Sequence, residues 1–133
     1  SIAEVKQLRN YAGAPLPLPL QAAAAAVWDD EAHVVENRAL YGEKFIAADE
    51  IFAGVNSYIG PQAGFFLWLP VEDGEATALK VWQQTGVRVL PGAYLSRDVA
   101  SGNPGAGYIR VAMVAPKEEM SRGLIALRDC IYS

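Results

Sequence analysis

Gly107-Tyr108-Ile109-Arg110-Val111-Ala112-Met113-Val114-Ala115-Pro116 constrains the fold more than any other stretch. A short apolar run bounded by glycine and proline reads as a buried strand. Arg110 stands in its middle. A guanidinium stays charged and offers five donors and no acceptor. Burying it unpaired costs several kcal/mol. Strand side chains alternate, so Ile109, Val111 and Met113 share one face while Arg110, Ala112 and Val114 share the other. The sheet holding this strand therefore needs one closed apolar face and one face that is solvated or receives an anion. Ala112 is small and leaves room beside the guanidinium. From the residues alone, a structural ion pair remains the alternative.

The remaining composition bounds the class. With 133 residues, 52% of them hydrophobic, the chain has material for one core. Fifteen acidic against eleven basic residues give a net charge of −4, and no basic stripe appears, which argues against nucleic acid as a partner. One cysteine, Cys130, excludes an internal disulfide framework and fits a reducing compartment. No apolar run approaches the roughly 20 residues of a membrane span, and Ser1 to Lys6 lacks the apolar core of a signal peptide. The expectation is a soluble cytoplasmic chain without membrane contact.

Taken in order, residues 2–11 read as a helix with Ile2, Val5 and Leu8 at helical spacing, stopped by Gly13. A helix so close to the first residue points to a tightly built chain or a fragment. Residues 14–20 carry Pro15, Pro17 and Pro19 at alternate positions, which favours an extended strap. The leucines between want burial, so a strap is preferred to a proline ligand for a partner domain. Five alanines at 22–26 predict a helix over 21–28. Asp29-Asp30-Glu31 then supplies a break or a fresh cap with acids in the first turn.

A long helix is expected over residues 31–55. Val34, Arg38, Tyr41, Phe45, Ala48, Phe52 and Val55 form a single seam, on a rod roughly 36 Å long. That length suits a connector between two bodies better than a coiled-coil dimer. His33, the only histidine, has no partners at ligand spacing and reads as a surface or capping residue rather than a base. Residues 65–69, Phe-Phe-Leu-Trp-Leu, read as a strand buried on both faces. Its aromatics are assigned to the core, since no basic residue is interleaved. Asp73 caps a helix over 74–85, with Ala76, Leu79, Trp82 and Gln83 inward. Residues 87–90 form a short strand and 96–105 a polar loop. A last helix starts at Lys117, with Met120, Leu124, Leu127 and Ile131 on one side. The fold class is α+β: a small mixed sheet of about three strands, helices on one face and Arg110 on the other.

No catalytic constellation is complete. There is no serine elbow, no P-loop and no dinucleotide fingerprint; the glycines of 102–107 have the wrong spacing and precede a strand. Acidic pairs at 29–31 and 118–119 are explained by helix dipoles without a metal.

Three stretches together carry a resemblance: Asn103-Pro104-Gly105-Ala106-Gly107-Tyr108-Ile109-Arg110-Val111-Ala112, preceded by Gly86-Val87-Arg88-Val89-Leu90-Pro91-Gly92 and by Phe65-Phe66-Leu67-Trp68-Leu69. They resemble the C-terminal region of class I/II aminotransferases, fold type I enzymes that use pyridoxal phosphate. Leu8-Arg9-Asn10-Tyr11 through Pro19-Leu20-Gln21-Ala22-Ala23 resembles the stretch after the cofactor lysine there. The likeness runs through essentially the whole chain, and the nearest branch is the bacterial succinyldiaminopimelate type. It implies that Arg110 binds the α-carboxylate of an amino-acid or 2-oxo-acid substrate. It further implies that residues 1–28 are the tail of the large cofactor-binding domain plus the strap, and that 29–133 are the small domain with its connecting helix.

The resemblance also implies a homodimer. The family's Schiff-base lysine and cofactor-binding groups would lie upstream, because Lys6, Lys44, Lys80 and Lys117 all fall in expected helices outside the Ser-Lys context. The chain would then be inactive alone and hold no cofactor. The same fold also hosts decarboxylating and eliminating enzymes. The rival reading is a free-standing carboxylate-binding or interaction module.

Overall fold

The computed structural model describes residues 1–13 and 16–133; Ala14 and Pro15 of the expected strap lie outside the described residues. Local signals account for the first two helices. Helix α1 (Ile2–Tyr11) starts at a capping box in which the Ser1 hydroxyl accepts from the Glu4 amide and the Glu4 carboxylate accepts from the Ser1 ammonium. Helix α2 (Leu18–Asp29) begins three residues earlier than expected. Pro19 falls in its first turn, where a missing N–H breaks no helical bond and the fixed φ is already helical. The extended segment therefore ends before Leu18.

Helix α3 (Ala32–Ile51), by contrast, is shorter than the expected 31–55, about 30 Å long. Asp30 caps it, its carboxylate accepting from the Ala32 amide at 3.0 Å. The three acids thus precede the first turn instead of occupying it. At the other end the chain leaves the helix through a turn in which Gly54 takes φ +87°, a conformation other residues rarely adopt.

The chain divides into two units, Ser1–Arg38 and Ala39–Ser133, with the boundary inside α3. Among the described residues of the first unit none is buried. The second unit holds the whole core: Ala48, Phe52, Leu67, Leu69, Val81, Ile109, Val111, Met113, Met120, Leu124 and Leu127. Each large side chain fully buried there contributes about 1.5–3 kcal/mol.

That core forms between a sheet and helices. Strand β1 (Phe66–Pro70), strand β2 (Leu90–Pro91) and strand β3 (Tyr108–Ala112) lie in the order β1-β3-β2. Both pairings are antiparallel, so the sheet is not mixed. The strands β1 and β2, joined through helix α4 (Gly74–Thr85), share a direction, but β3 intervenes between them and opposes both. Helix α5 (Lys117–Tyr132) places Met120, Leu124 and Leu127 against the closed face, as its spacing predicts.

Three further details differ from expectation. Strand β2 covers only Leu90–Pro91 rather than residues 87–90. Strand β1 alternates: Leu67 and Leu69 are buried, whereas Trp68 is 41% exposed. Its apolar run arises because the open face is lined with aromatics, not because both faces are closed. In α4 the inward residues are Gly74 and Val81, while Leu79 and Trp82 stay exposed. The Asp73 cap is as expected, accepting from the Glu75 and Ala76 amides at 2.9 and 3.0 Å, and Gly86 closes the helix at φ +72°.

Candidate functional site

Arg110 occupies the centre of the central strand, paired with Trp68 of β1 on one side and Leu90 of β2 on the other. Its neighbours Ile109 and Val111 are 0% and 5% exposed on the closed face. Arg110 therefore projects from the opposite face, where it is half-buried. The strand's hydrogen bonds on both sides fix where the side chain starts.

Its surroundings are aromatic. The guanidinium carbon lies 3.9 Å from the centroid of the Phe66 ring, within the range of a cation–π contact. Phe66 pairs across the sheet with Ala112, so a methyl group stands where a larger side chain would crowd the ring. Phe65 touches Phe66 with centroids 4.3 Å apart. Beyond Arg110, Trp68 and Tyr108 meet edge to face at 6.3 Å. Among the described residues no carboxylate lies within ion-pair distance of Arg110 and no acceptor takes a hydrogen bond from it. The ion pairs of the second unit lie elsewhere, at Lys117–Glu43 and Arg128–Asp129. The five guanidinium donors are thus available to an incoming acceptor.

The segment that borders this face is locked by a side chain that the sequence marks only as part of a polar loop. The Asn103 carboxamide oxygen accepts from the Gly105 amide at 2.9 Å and from the Ser96 hydroxyl. Its NH2 donates to the Asp98 carboxylate at 2.9 Å and the Ala93 carbonyl at 3.3 Å. The signal was present: Asn-Pro-Gly is a turn in which the first side chain caps the amide two residues on. Where this loop meets β1 and β3, Trp68, Ser96, Pro104, Gly105 and Tyr108 line an open cavity of about 310 Å³.

The other singled-out residues stay apart from this constellation. His33 is exposed, its Nδ1 3.6 Å from the Asp30 carboxylate, next to the start of α3. Among the described residues no cluster of His, Cys, Asp and Glu could hold a metal. No helix there is long and apolar enough to cross a membrane.

Pyridoxal phosphate needs an amine to carry it. All four lysines lie in helices, and three have partners. Lys44 Nζ donates to the Met113 carbonyl at 2.9 Å, Lys80 Nζ to the Cys130 carbonyl at 2.7 Å, and Lys117 pairs with Glu43 at 3.1 Å. Lys6 sits on exposed α1. No lysine lines the cavity at the Arg110 face.

Comparison with known proteins places the geometry in context. Residues 3–127 match the family described as aminotransferase class I and II. The chain is similar to a crystal structure of an aminotransferase from Neisseria meningitidis, with 38% identity, a TM-score of 0.88, and coverage of 98% of this chain and 34% of that one. It is 31% identical over 126 residues to a probable aminotransferase of Mycobacterium tuberculosis, covering 90% of this chain and 28% of the relative. A structure described as a probable N-succinyldiaminopimelate aminotransferase from Thermus thermophilus shares 29% identity and a TM-score of 0.54 over 69% of this chain and 24% of that one. The chain spans about a third of the length of the curated relatives it matches.

Proposed function

Because the chain belongs to the class I and II aminotransferases, we propose that it is the C-terminal part of such an enzyme and that Arg110 binds the α-carboxylate of the amino-acid or 2-oxo-acid substrate. One observation carries this reading: a half-buried guanidinium on a rigid central strand with no anion of its own among the described residues. A planar fork held in that way suits bidentate carboxylate recognition. Gripping the carboxylate fixes the orientation of the α-carbon, an entropic contribution to the reaction.

The family's cofactor, pyridoxal phosphate, would be held by a large domain upstream of this chain. Residues 1–28 form that domain's tail and residues 29–133 the small domain. The exposed Ile2, Leu8, Leu18 and Trp28 support this division, since they are apolar side chains with nothing buried against them. The working enzyme is a homodimer, and the 133-residue chain alone transfers no amino group. A second reading, a free-standing carboxylate-binding module, is favoured by the closed core of Ala39–Ser133.

Two measurements test the proposal. In the full-length enzyme, Arg110→Ala lowers kcat/KM for the amino acid by about 30- to 5,000-fold, since removing one partner of a charged, hydrogen-bonded pair costs about 2–5 kcal/mol. An unchanged kcat/KM overturns the role of Arg110. Transamination by the isolated chain supplied with pyridoxal phosphate, an amino acid and a 2-oxo acid overturns the division of labour.

A further inference from the structure

We propose that Phe66 is a positioning residue that sets the plane of the Arg110 guanidinium while leaving its edge free for the substrate. The inference rests on the carboxylate-binding reading of Arg110 and names the group that makes the site ready before the substrate arrives.

A long arginine side chain loses considerable rotamer freedom when it is held in one place. Proteins commonly hold it with an internal carboxylate, but a carboxylate occupies the same in-plane N–H groups that a substrate carboxylate needs. An aromatic ring avoids that competition. It covers the π face of the guanidinium and uses none of the five in-plane donors. The guanidinium carbon lies 3.9 Å from the Phe66 centroid, and no internal acceptor among the described residues takes its donors.

The ring is itself supported. Phe65 lies 4.3 Å away, and Tyr41 of α3 lies 6.3 Å from Phe65. Opposite Phe66 the strand carries Ala112, which leaves the ring free to lean across to Arg110. The lean is diagonal. Arg110 is paired with Trp68, yet its guanidinium carbon lies over the ring of Phe66, two residues along β1. A guanidinium merely seeking solvent has no need of that tilt.

The experiment uses the full-length enzyme and reads KM and kcat for an α-amino acid, with a simple amine lacking a carboxylate as the control substrate. Phe66→Leu keeps apolar bulk and removes the ring. It is expected to raise KM for the amino acid five- to tenfold with kcat changed less than twofold, and to leave the amine unaffected. Phe66→Tyr restores the stack and returns KM to within twofold of the parent. In an Arg110→Ala background, Phe66→Leu has no further effect. Equal losses on amino acid and amine, or a full additional loss in the Arg110→Ala background, overturn the positioning role. So does a parental KM in Phe66→Leu.

Should Phe66→Leu fail to fold, Ala112→Val carries the same test. Its added methyl groups displace the ring, and the same selective rise in KM is expected; a parental KM again overturns the role. The failures are distinguishable. If Arg110→Ala leaves KM unchanged, the carboxylate reading itself falls. If Arg110→Ala is impaired and folded Phe66→Leu is not, only the positioning role falls.

Discussion

The two units of this chain put their secondary structure to opposite uses. Ser1–Arg38 is helical nearly throughout, yet Val5, Leu8, Leu20, Val27 and Trp28 all lie exposed. Its helices rest on a capping box and an alanine run. Ala39–Ser133 contains every buried residue among those described, and its strands are short: β2 has only two residues, Leu90 and Pro91. The contrast separates two sources of order. Propensity and capping specify a helix from its own residues, whereas a two-residue strand exists only because neighbours hold it. The sheet face carrying Arg110 belongs to the second kind. Arg110 is placed by hydrogen bonds on both sides and by apolar neighbours that cannot leave the core.

The sharpest test compares equivalent deletions in the two units. Ile109→Ala removes a fully buried side chain adjacent to Arg110 and is expected to cost about 2–5 kcal/mol in urea unfolding. Leu8→Ala removes exposed surface and should stay within about 0.5 kcal/mol. Equal costs would mean that the first unit buries its leucines after all, and the comparison would break.

A smaller effect is expected at the loop bordering the Arg110 face. A Cβ at Gly105 would stand 2.3 Å from the Gly92 carbonyl oxygen and 2.4 Å from the Ser96 hydroxyl. The backbone must shift, and Gly105→Ala is expected to destabilise by about 1–3 kcal/mol. Gly13, in the first unit, meets nothing within 4 Å. Its φ of +72° still disfavours a side chain, but Gly13→Ala should cost only about 1 kcal/mol. Thermal unfolding of the two variants side by side reads the difference.

How much of this could be read beforehand follows the same division. The alternation around Arg110 was legible because period-2 burial is written directly in Ile109, Val111 and Met113. Helix α5 was legible because Met120, Leu124 and Leu127 keep strict helical spacing. Strand β1 was not, since an aromatic reads as buried whichever face it occupies, and Phe66 and Trp68 line the open one. The tilt of Arg110 onto Phe66 joins residues 44 positions apart and depends on strand register, which no local pattern encodes. The start of α2 is hidden for a different reason: alternating prolines imitate an extended strap until one of them falls in a first turn. The Asn103 lock is written in the turn chemistry of Asn-Pro-Gly, whose first side chain caps the amide two residues on.

The mildest prediction concerns how the second unit closes at its C-terminal end. Tyr132 donates its hydroxyl to the Pro70 carbonyl at 2.8 Å and sets its ring edge-on to Phe52 at 6.3 Å. Burial of the phenol pushes its pKa up to about 12, because the phenolate is the poorly solvated form. The folded state therefore keeps this proton at pH values where the unfolded chain, titrating near 10, has already lost it. Stability from this group is fully present below pH 10 and falls as pH rises through the window from about 10 to about 12. Burial and the Asp49 carboxylate also raise the pKa of Tyr58, so that tyrosine adds to the same alkaline loss. Tyr132→Phe should cost about 0.5–1.5 kcal/mol at neutral pH for the missing hydrogen bond, and its urea midpoint should fall less steeply than the parent's above pH 10. A Tyr132→Phe slope as steep as the parent's would mean that the end of α5 opens before the phenol titrates, and the closed unit would then share the looseness of the open one.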